Sequence, residues 1–457
     1  MKNYIPYFIC AGLLVFCSWY PFDGNNRIKS TKVTGKSVIS DDSLLTLVEY
    51  NTFQYFWDGA EPVSGLACER IHLDGIYQLN DKSVITTGGS GFGIMAILTG
   101  IERKFITRDQ GFERLRHIVN YLSKADRFHG AWPHWIYGET GKVKPFGRKD
   151  NGGDIVETAY LMQGLLTARQ YFINGNNQEK LLSKDIDTLW RGVEWNWFTH
   201  GKDVLYWHWS PEYLWEMNFP ITGYNECIIA YILAVSSPAN GADPSIYHKG
   251  WARNGAIKGK HQKFGFPLTL NHNYAEKSGG PLFWAHYSYL GLDPRGLKDS
   301  YANYWEENKN QTLINHEWCV QNPKKFAGYS RKCWGLTASY SINGYAAHLP
   351  DSANDLGVIS PTAALASFPY TPEYSMEALK YFYNDLGDKI WGKYGFYDAF
   401  SIEKNWFPSQ YLAIDQGPAI VMIENYRSGL LWKLFMSCPE IQNGLKKLDF
   451  KSPLIKE

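Results

Sequence analysis

Two stretches of this chain, Ala159 to Ala168 and Gly417 to Leu431, carry Gly, Ala and aliphatic residues around the whole helix circumference rather than along one stripe. A helix of that kind has no face to offer water and must be enclosed by other elements. Apolar spacing of helical type recurs from Asp41 onward, near 42–58, 90–102, 109–124, 154–173, 180–199, 224–236, 280–290, 298–320, 334–341, 361–368, 374–386 and 416–436. Loops rich in Gly, Pro, Asn and Trp separate these segments, and the strand-like stretches 203–209 and 391–400 are short and isolated. No low-complexity linker or evident repeat divides them, so one all-α domain is expected. About twelve helices, some covered on every side, predict a double ring of inner and outer helices with functional groups at one mouth.

The first residues read as an export signal. Lys2 supplies a basic start, and the largely apolar run from Ile5 to Phe16 is too short to span a bilayer. The expected division is a signal peptide at 1–18, a polar segment at 19–40 and a catalytic domain at 41–457. Leu14-Val15-Phe16-Cys17 resembles a lipoprotein box, although Phe16 is bulky where a small residue belongs. A periplasmic protein is expected, with a lipid anchor at Cys17 as the alternative. Cys68, Cys227, Cys319, Cys333 and Cys438 remain beyond that segment; their odd number and wide spacing fit buried free thiols better than disulfides or zinc.

The balance of 46 basic against 45 acidic residues leaves no field to gather nucleic acid or an anionic membrane. The partner expected is neutral. With 18 Trp and 31 Tyr, the chain has many rings that combine an apolar face with a polar edge, which suits stacking on sugars. Trp135, Trp207, His208, Trp215 and Tyr224 are the candidate substrate contacts, core packing being the alternative for any single ring.

Four carboxylates stand where apolar helical runs begin. Asp154 and Glu157 have the spacing of a capping box, and share a helix face from which both can point into a cleft. Glu226 precedes a very apolar run, Cys227 to Val235, after an aromatic loop. Burial there raises a carboxyl's pKa toward that of a general acid, while a helix N-terminus acts against it. Asp415 is expected to cap the helix that contains Pro418 and to be held ionised by the same dipole, as a general base requires. Glu424 and Arg427, three apart, read as an ion pair. A carboxyl pair of acid and base is the equipment of glycoside hydrolysis.

Other motifs fall away. Gly91-Phe92-Gly93 has no βαβ unit around it and is expected to let a loop pass close to a cleft or helix. His316-Glu317 lacks the second His of a zincin, and no Walker or nucleophile-elbow motif is present, so no metal or cofactor is implied.

The stretches TTGGSGFGIMAI, NGGDIVETAYLMQGLL, FPITGYNECIIAYILA and SQYLAIDQGPAIVMIENYRSGLLW resemble the bacterial glucoamylase-like proteins of glycoside hydrolase family 144, in the same order from about Leu44 to Trp432. The resemblance implies an (α/α)6 toroid, inverting hydrolysis of β-1,2-linked glucans and glucooligosaccharides, Glu226 as general acid, Asp415 as general base, and Asp154 and Glu157 in the cleft. Exo action releasing sophorose from the non-reducing end is expected, with endo action on polymer as the alternative. A non-catalytic glycan-binding protein would lose the acid and base, which are retained. A lyase or epimerase would use groups such as His134 and His208, but no motif matches one. The sequence assigns no oligomeric state.

Overall fold

In the computed structural model, residues 39–455 are described. The expected signal peptide at 1–18, with Cys17, lies outside them. The α-helices among the described residues are α1 Asp41–Trp57, α2 Thr87–Glu102, α3 Arg108–Leu122, α4 Ile155–Phe172, α5 Asn177–Arg191, α6 Ile228–Ser236, α7 Tyr304–Gln321, α8 Pro361–Ala366, α9 Pro372–Asn384, α10 Gly387–Ile390, α11 Ala413–Arg427, α12 Leu430–Met436 and α13 Pro439–Lys447.

Their packing closes a ring. The inner members are α2, α4, α6, the segment 282–290, α8 and α11, with α1, α3, α5, α7, α9 and α13 applied to them from outside. This is the (α/α)6 toroid expected. Helix composition explains which ring each joins: α2 from Thr87 to Ile101 is buried at every position, whereas α5 buries one stripe and exposes the other.

The α2–α4 contact is the tightest, and glycine makes it. A Cβ on Gly91 would stand 2.1 Å from the Tyr160 carbonyl oxygen, and one on Gly164 would stand 2.1 Å from the Gly91 carbonyl oxygen. Gly91 therefore belongs to a helix, not a loop, and its role is backbone-to-backbone packing.

Two expected helices are not formed. The stretch 334–341 ends in a strand, Ala338–Ser341, paired antiparallel with Gly344–Ala347 across Ile342-Asn343, with Gly344 at φ 99°. The stretch 280–290 breaks into short 3-10 turns at Leu282–Ala285 and Tyr287–Tyr289, after Gly279 and Gly280 at positive φ and Pro281. Glu424 and Arg427 do not pair with each other. Glu424 takes Arg103 at 2.6 Å, while Arg427 reaches Asp42 at 2.6 Å and Glu49, so both clamp neighbouring helices rather than their own.

The cysteines Cys68, Cys227, Cys319, Cys333 and Cys438 are free and buried. No helix among the described residues is long and apolar enough to cross a membrane.

Candidate active site

Three inner helices start directly from short strands, which fixes the residues at their mouths. Val84–Thr86 leads into α2 and pairs with Trp135–Tyr137; Gly153–Asp154 leads into α4 and pairs with His208–Trp209; Gln410–Leu412 leads into α11 and pairs with Arg70–His72. Asp154 lies opposite His208 in that register.

Asp154 caps α4. Its Oδ1 accepts from the backbone N–H of Val156 and of Glu157, both at 2.9 Å. Its Oδ2 accepts from Trp207 Nε1 at 3.1 Å and stands 3.0 Å from His134 Nδ1 and 3.6 Å from His208 Nδ1. Burial favours the neutral acid, but His208, then His134, then the Glu157 N–H outweigh it and hold the Asp154 pKa below its ordinary value.

Only half of the expected capping box forms. Glu157 does not reach back to the Asp154 backbone; its Oε2 accepts from Gly88 N–H at 2.7 Å, at the mouth of α2. Gly88 has to be glycine for that approach, because a Cβ there would lie 2.6 Å from the same oxygen. Burial raises Glu157 to about 7, with His134 opposing and Asp154 adding to the rise.

His134 joins the two carboxyls. Its ring stacks on Phe146 at 4.0 Å, and its Nε2 lies 4.0 Å from Glu157 Oε1. Burial disfavours its charge, yet Glu157, Asp154 and Asp150 raise it to about 9. His134, Asp150 and Asp154 also offer atoms within 4.8 Å of one another, a spacing that admits a cation. The protonated imidazole already supplies positive charge at that point.

Glu226 precedes α6 by two residues. Asn225, not Glu226, closes the turn, its Oδ1 accepting from Cys227 N–H at 3.0 Å. The Glu226 carboxyl is thus not spent on capping. Its backbone carbonyl accepts from Tyr160 Oη at 3.2 Å and from Ser288 Oγ, which pins the segment to α4 and to 282–290. Burial pushes the carboxyl to about 7, its own backbone N–H opposing and Glu157 adding to the rise.

Asp415 differs from expectation. Leu412 occupies the N-cap position of α11, and Asp415 is the third residue of the helix. It is 4% exposed, and burial followed by Asp398 and Glu69 holds its pKa well above the carboxylate range, so the helix dipole does not decide its charge. Asp398, a residue without an apolar helical run behind it, was not legible as part of the site.

Tyr287 lies within electrostatic reach of three of the carboxyls. Burial raises its phenol first, and Asp415, Glu157 and Glu226, from three different inner segments, all act on it. The aromatic candidates separate. Trp207 and His208 face Asp154, and Trp135 follows His134 directly, with its ring against Phe146 at 4.8 Å. Trp215 instead joins Trp197, Phe198, His200 and Tyr206, beside a cavity of about 550 Å³. Tyr224 is fully buried, hydrogen-bonded to Asn308 and packed on His272, so it serves the core rather than the surface of a cleft.

The Glycoamylase family model ("Putative glucoamylase") matches residues 218–439. An endo-β-1,2-glucanase from Chitinophaga pinensis, solved with sophorotriose and glucose, is 68% identical with a TM-score of 0.90, covering 91% of this chain and 100% of that one. The chain belongs to glycoside hydrolase family 144.

Further likeness is to two proteins of Parabacteroides distasonis. An exo-β-1,2-glucooligosaccharide sophorohydrolase (non-reducing end) is 48% identical over 427 residues, 90% of this chain and 58% of that protein. The chain thus spans little more than half the length of this curated relative. A β-1,2-glucanase structure from the same organism is 46% identical with a TM-score of 0.85, covering 90% of this chain and 60% of that one.

Proposed function

We propose that residues 41–457 form an inverting glycoside hydrolase domain acting on β-1,2-linked glucooligosaccharides, with Glu226 as general acid and Asp415 as general base. The observation that carries this reading is that Glu157, Glu226 and Asp415 stand at the starts of three inner helices, α4, α6 and α11, with Tyr287 within electrostatic reach of all three. Glu226, raised to about 7, retains a proton to deliver near neutral pH. Asp154 and Glu157, with His134, Trp207 and His208, supply hydrogen-bonding groups beside them for sugar hydroxyls.

Exo release of sophorose from the non-reducing end is the first reading of the mode, in line with the named activity of the 48%-identical relative. Endo action is the second, favoured by the 68%-identical relative that this chain covers in full. The basic and apolar run at 2–16 supports export to the periplasm, with lipidation at Cys17 as the alternative address.

A time course with linear β-1,2-glucan and short β-1,2-glucooligosaccharides tests the activity, with starch as control. Sophorose alone from the earliest points is the result expected for exo action, and a spread of lengths is that for endo action. Cleavage of starch alone overturns the linkage. No product from any of them overturns the hydrolase reading in favour of glycan binding.

A further inference from the structure

The carboxyl of Asp398 is fully buried and lies within electrostatic reach of that of Asp415. Asp398 Oδ2 accepts from Tyr340 N–H at 2.8 Å. Asp398 Oδ1 and Asp415 Oδ2 are both buried and have no N–H or O–H partner among the described residues. Two carboxylate oxygens cannot bond to each other without a proton, so one shared proton satisfies both. The pairing is built into the backbone. Asp398 N–H donates to Gln410 O at 2.9 Å, and Gln416 Nε2 donates to Phe396 O at 2.8 Å, which ties the Asp398 segment to the strand before α11 and to its first turn.

The asymmetry of donors decides where the negative charge rests. Tyr340 N–H stabilises an anion on Asp398, and Asp415 has no comparable backbone donor. We propose that Asp398 is a positioning residue that completes the base: Asp415 rests protonated, donating its proton to the Asp398 carboxylate. This rests on the hydrolase reading and on Asp415 as its base. In the hydrolytic step an O–H bond of the attacking water breaks and its proton goes to Asp415 Oδ1. The proton on Asp415 Oδ2 moves to Asp398 Oδ1. The pair passes from monoanion to neutral and returns one proton to solvent after the products leave.

The groups facing the pair are Glu69, itself ion-paired with Arg70, and the phenols of Tyr287, Tyr340 and Tyr345. Glu69 acts on both carboxyls in the sense that retains a proton. Asp398 itself is raised to about 6, chiefly by burial, so the monoanion is lost as pH falls through about 6.

The test is Asp398→Asn, which keeps an acceptor for Tyr340 N–H and turns the other atom into an N–H donor to Asp415. Asp415 then ionises at lower pH and becomes a weaker base. The expected result with β-1,2-glucooligosaccharide is an acid limb of the kcat profile displaced downward by about one pH unit or more. With it, kcat should fall at least about tenfold and KM change by less than about twofold. An unmoved acid limb overturns the proposal.

Infrared difference spectra in heavy water test the pair without substrate. At pH 7.5 the wild-type-minus-variant difference should contain a protonated-carboxyl band for both Asp398→Asn and Asp415→Asn, the protons retained by Glu49, Glu157 and Glu226 cancelling in the subtraction. Its absence from the difference for a folded variant of either kind overturns the proposal. A wild-type protein that cleaves no β-1,2-glucan but shows the band defeats the hydrolase reading and leaves the proton-sharing pair standing.

Discussion

One imidazole bridges two carboxyls on the first turn of one helix: His134 Nδ1 is 3.0 Å from Asp154 Oδ2, and His134 Nε2 is 4.0 Å from Glu157 Oε1. A cation there compensates the burial of both acids and lets one, Asp154, remain ionised while the other titrates near neutrality. Chemistry on neutral sugars needs this kind of divided protonation among neighbouring carboxyls.

His134 should therefore stabilise the fold in a pH-dependent way. Its pKa rises from 6.5 to about 9 in the native state, so its contribution is complete below about pH 6.5 and is lost as pH rises through about 9. His134→Gln should lower stability by ~1–3 kcal/mol at pH 6, and by much less at pH 9.5. Thermal unfolding at the two pH values checks this, and an equal deficit at both would remove the charge from the account.

Glu226 moves stability in the same direction with pH, but as a cost that appears rather than a gain that is lost. A carboxyl raised from 4.5 to about 7 binds more protons in the native than in the unfolded state across that window, so it costs stability as pH climbs through it. Glu226→Gln should reduce turnover by about 10²–10⁴-fold. It should also melt a few degrees above wild type at pH 8, and near wild type at pH 4. Near-normal turnover would exclude Glu226 as the acid.

The helix mouths were legible because an acidic residue before a long apolar run is a strong local pattern, and Asp154, Glu157, Glu226 and Asp415 all have it. Their partners were not. Glu69 comes to α11 through strand pairing between segments far apart in sequence, Arg70–His72 with Gln410–Leu412, and Asp398 through its N–H to Gln410 O; no local spacing encodes either. Tyr224 was misplaced because an aromatic loop does not reveal which ring turns inward; a hydrogen bond to Asn308 on α7 decided it. The strand at Ala338–Ser341 was read as helix although an Asn-Gly pair, a hairpin signal, spans the second turn residue Asn343 and the first residue of the returning strand, Gly344.

Asp154 combines capping and binding in one side chain, and two substitutions separate them. Asp154→Asn retains an oxygen for the Val156 and Glu157 N–H groups but turns an amide toward Trp207 Nε1 and His134, which should weaken the site while costing ~1 kcal/mol of stability. Asp154→Ala removes the cap and strands the indole N–H, and should cost roughly 2–4 kcal/mol. Urea unfolding of the pair gives the comparison, and equal losses would mean the cap contributes nothing.

Gly91 is the position where the ring and the site depend on the same atom. A methyl group there meets the Tyr160 carbonyl oxygen at 2.1 Å and Leu161 Cα at 2.6 Å, and neither backbone atom can move without shifting α4 as a whole. Displacing α4 from α2 would also pull Glu157 from the Gly88 N–H that holds it at 2.7 Å. Gly91→Ala is therefore expected to destabilise the protein by at least ~3 kcal/mol, well above the roughly 1 kcal/mol that Ala ordinarily gains over Gly inside a helix. Any folded fraction should have reduced turnover, because its cleft carboxyls no longer share one geometry. Denaturant midpoints with unchanged slope measure the first effect, and a variant within about 1 kcal/mol of wild type would show that α2 and α4 can separate freely.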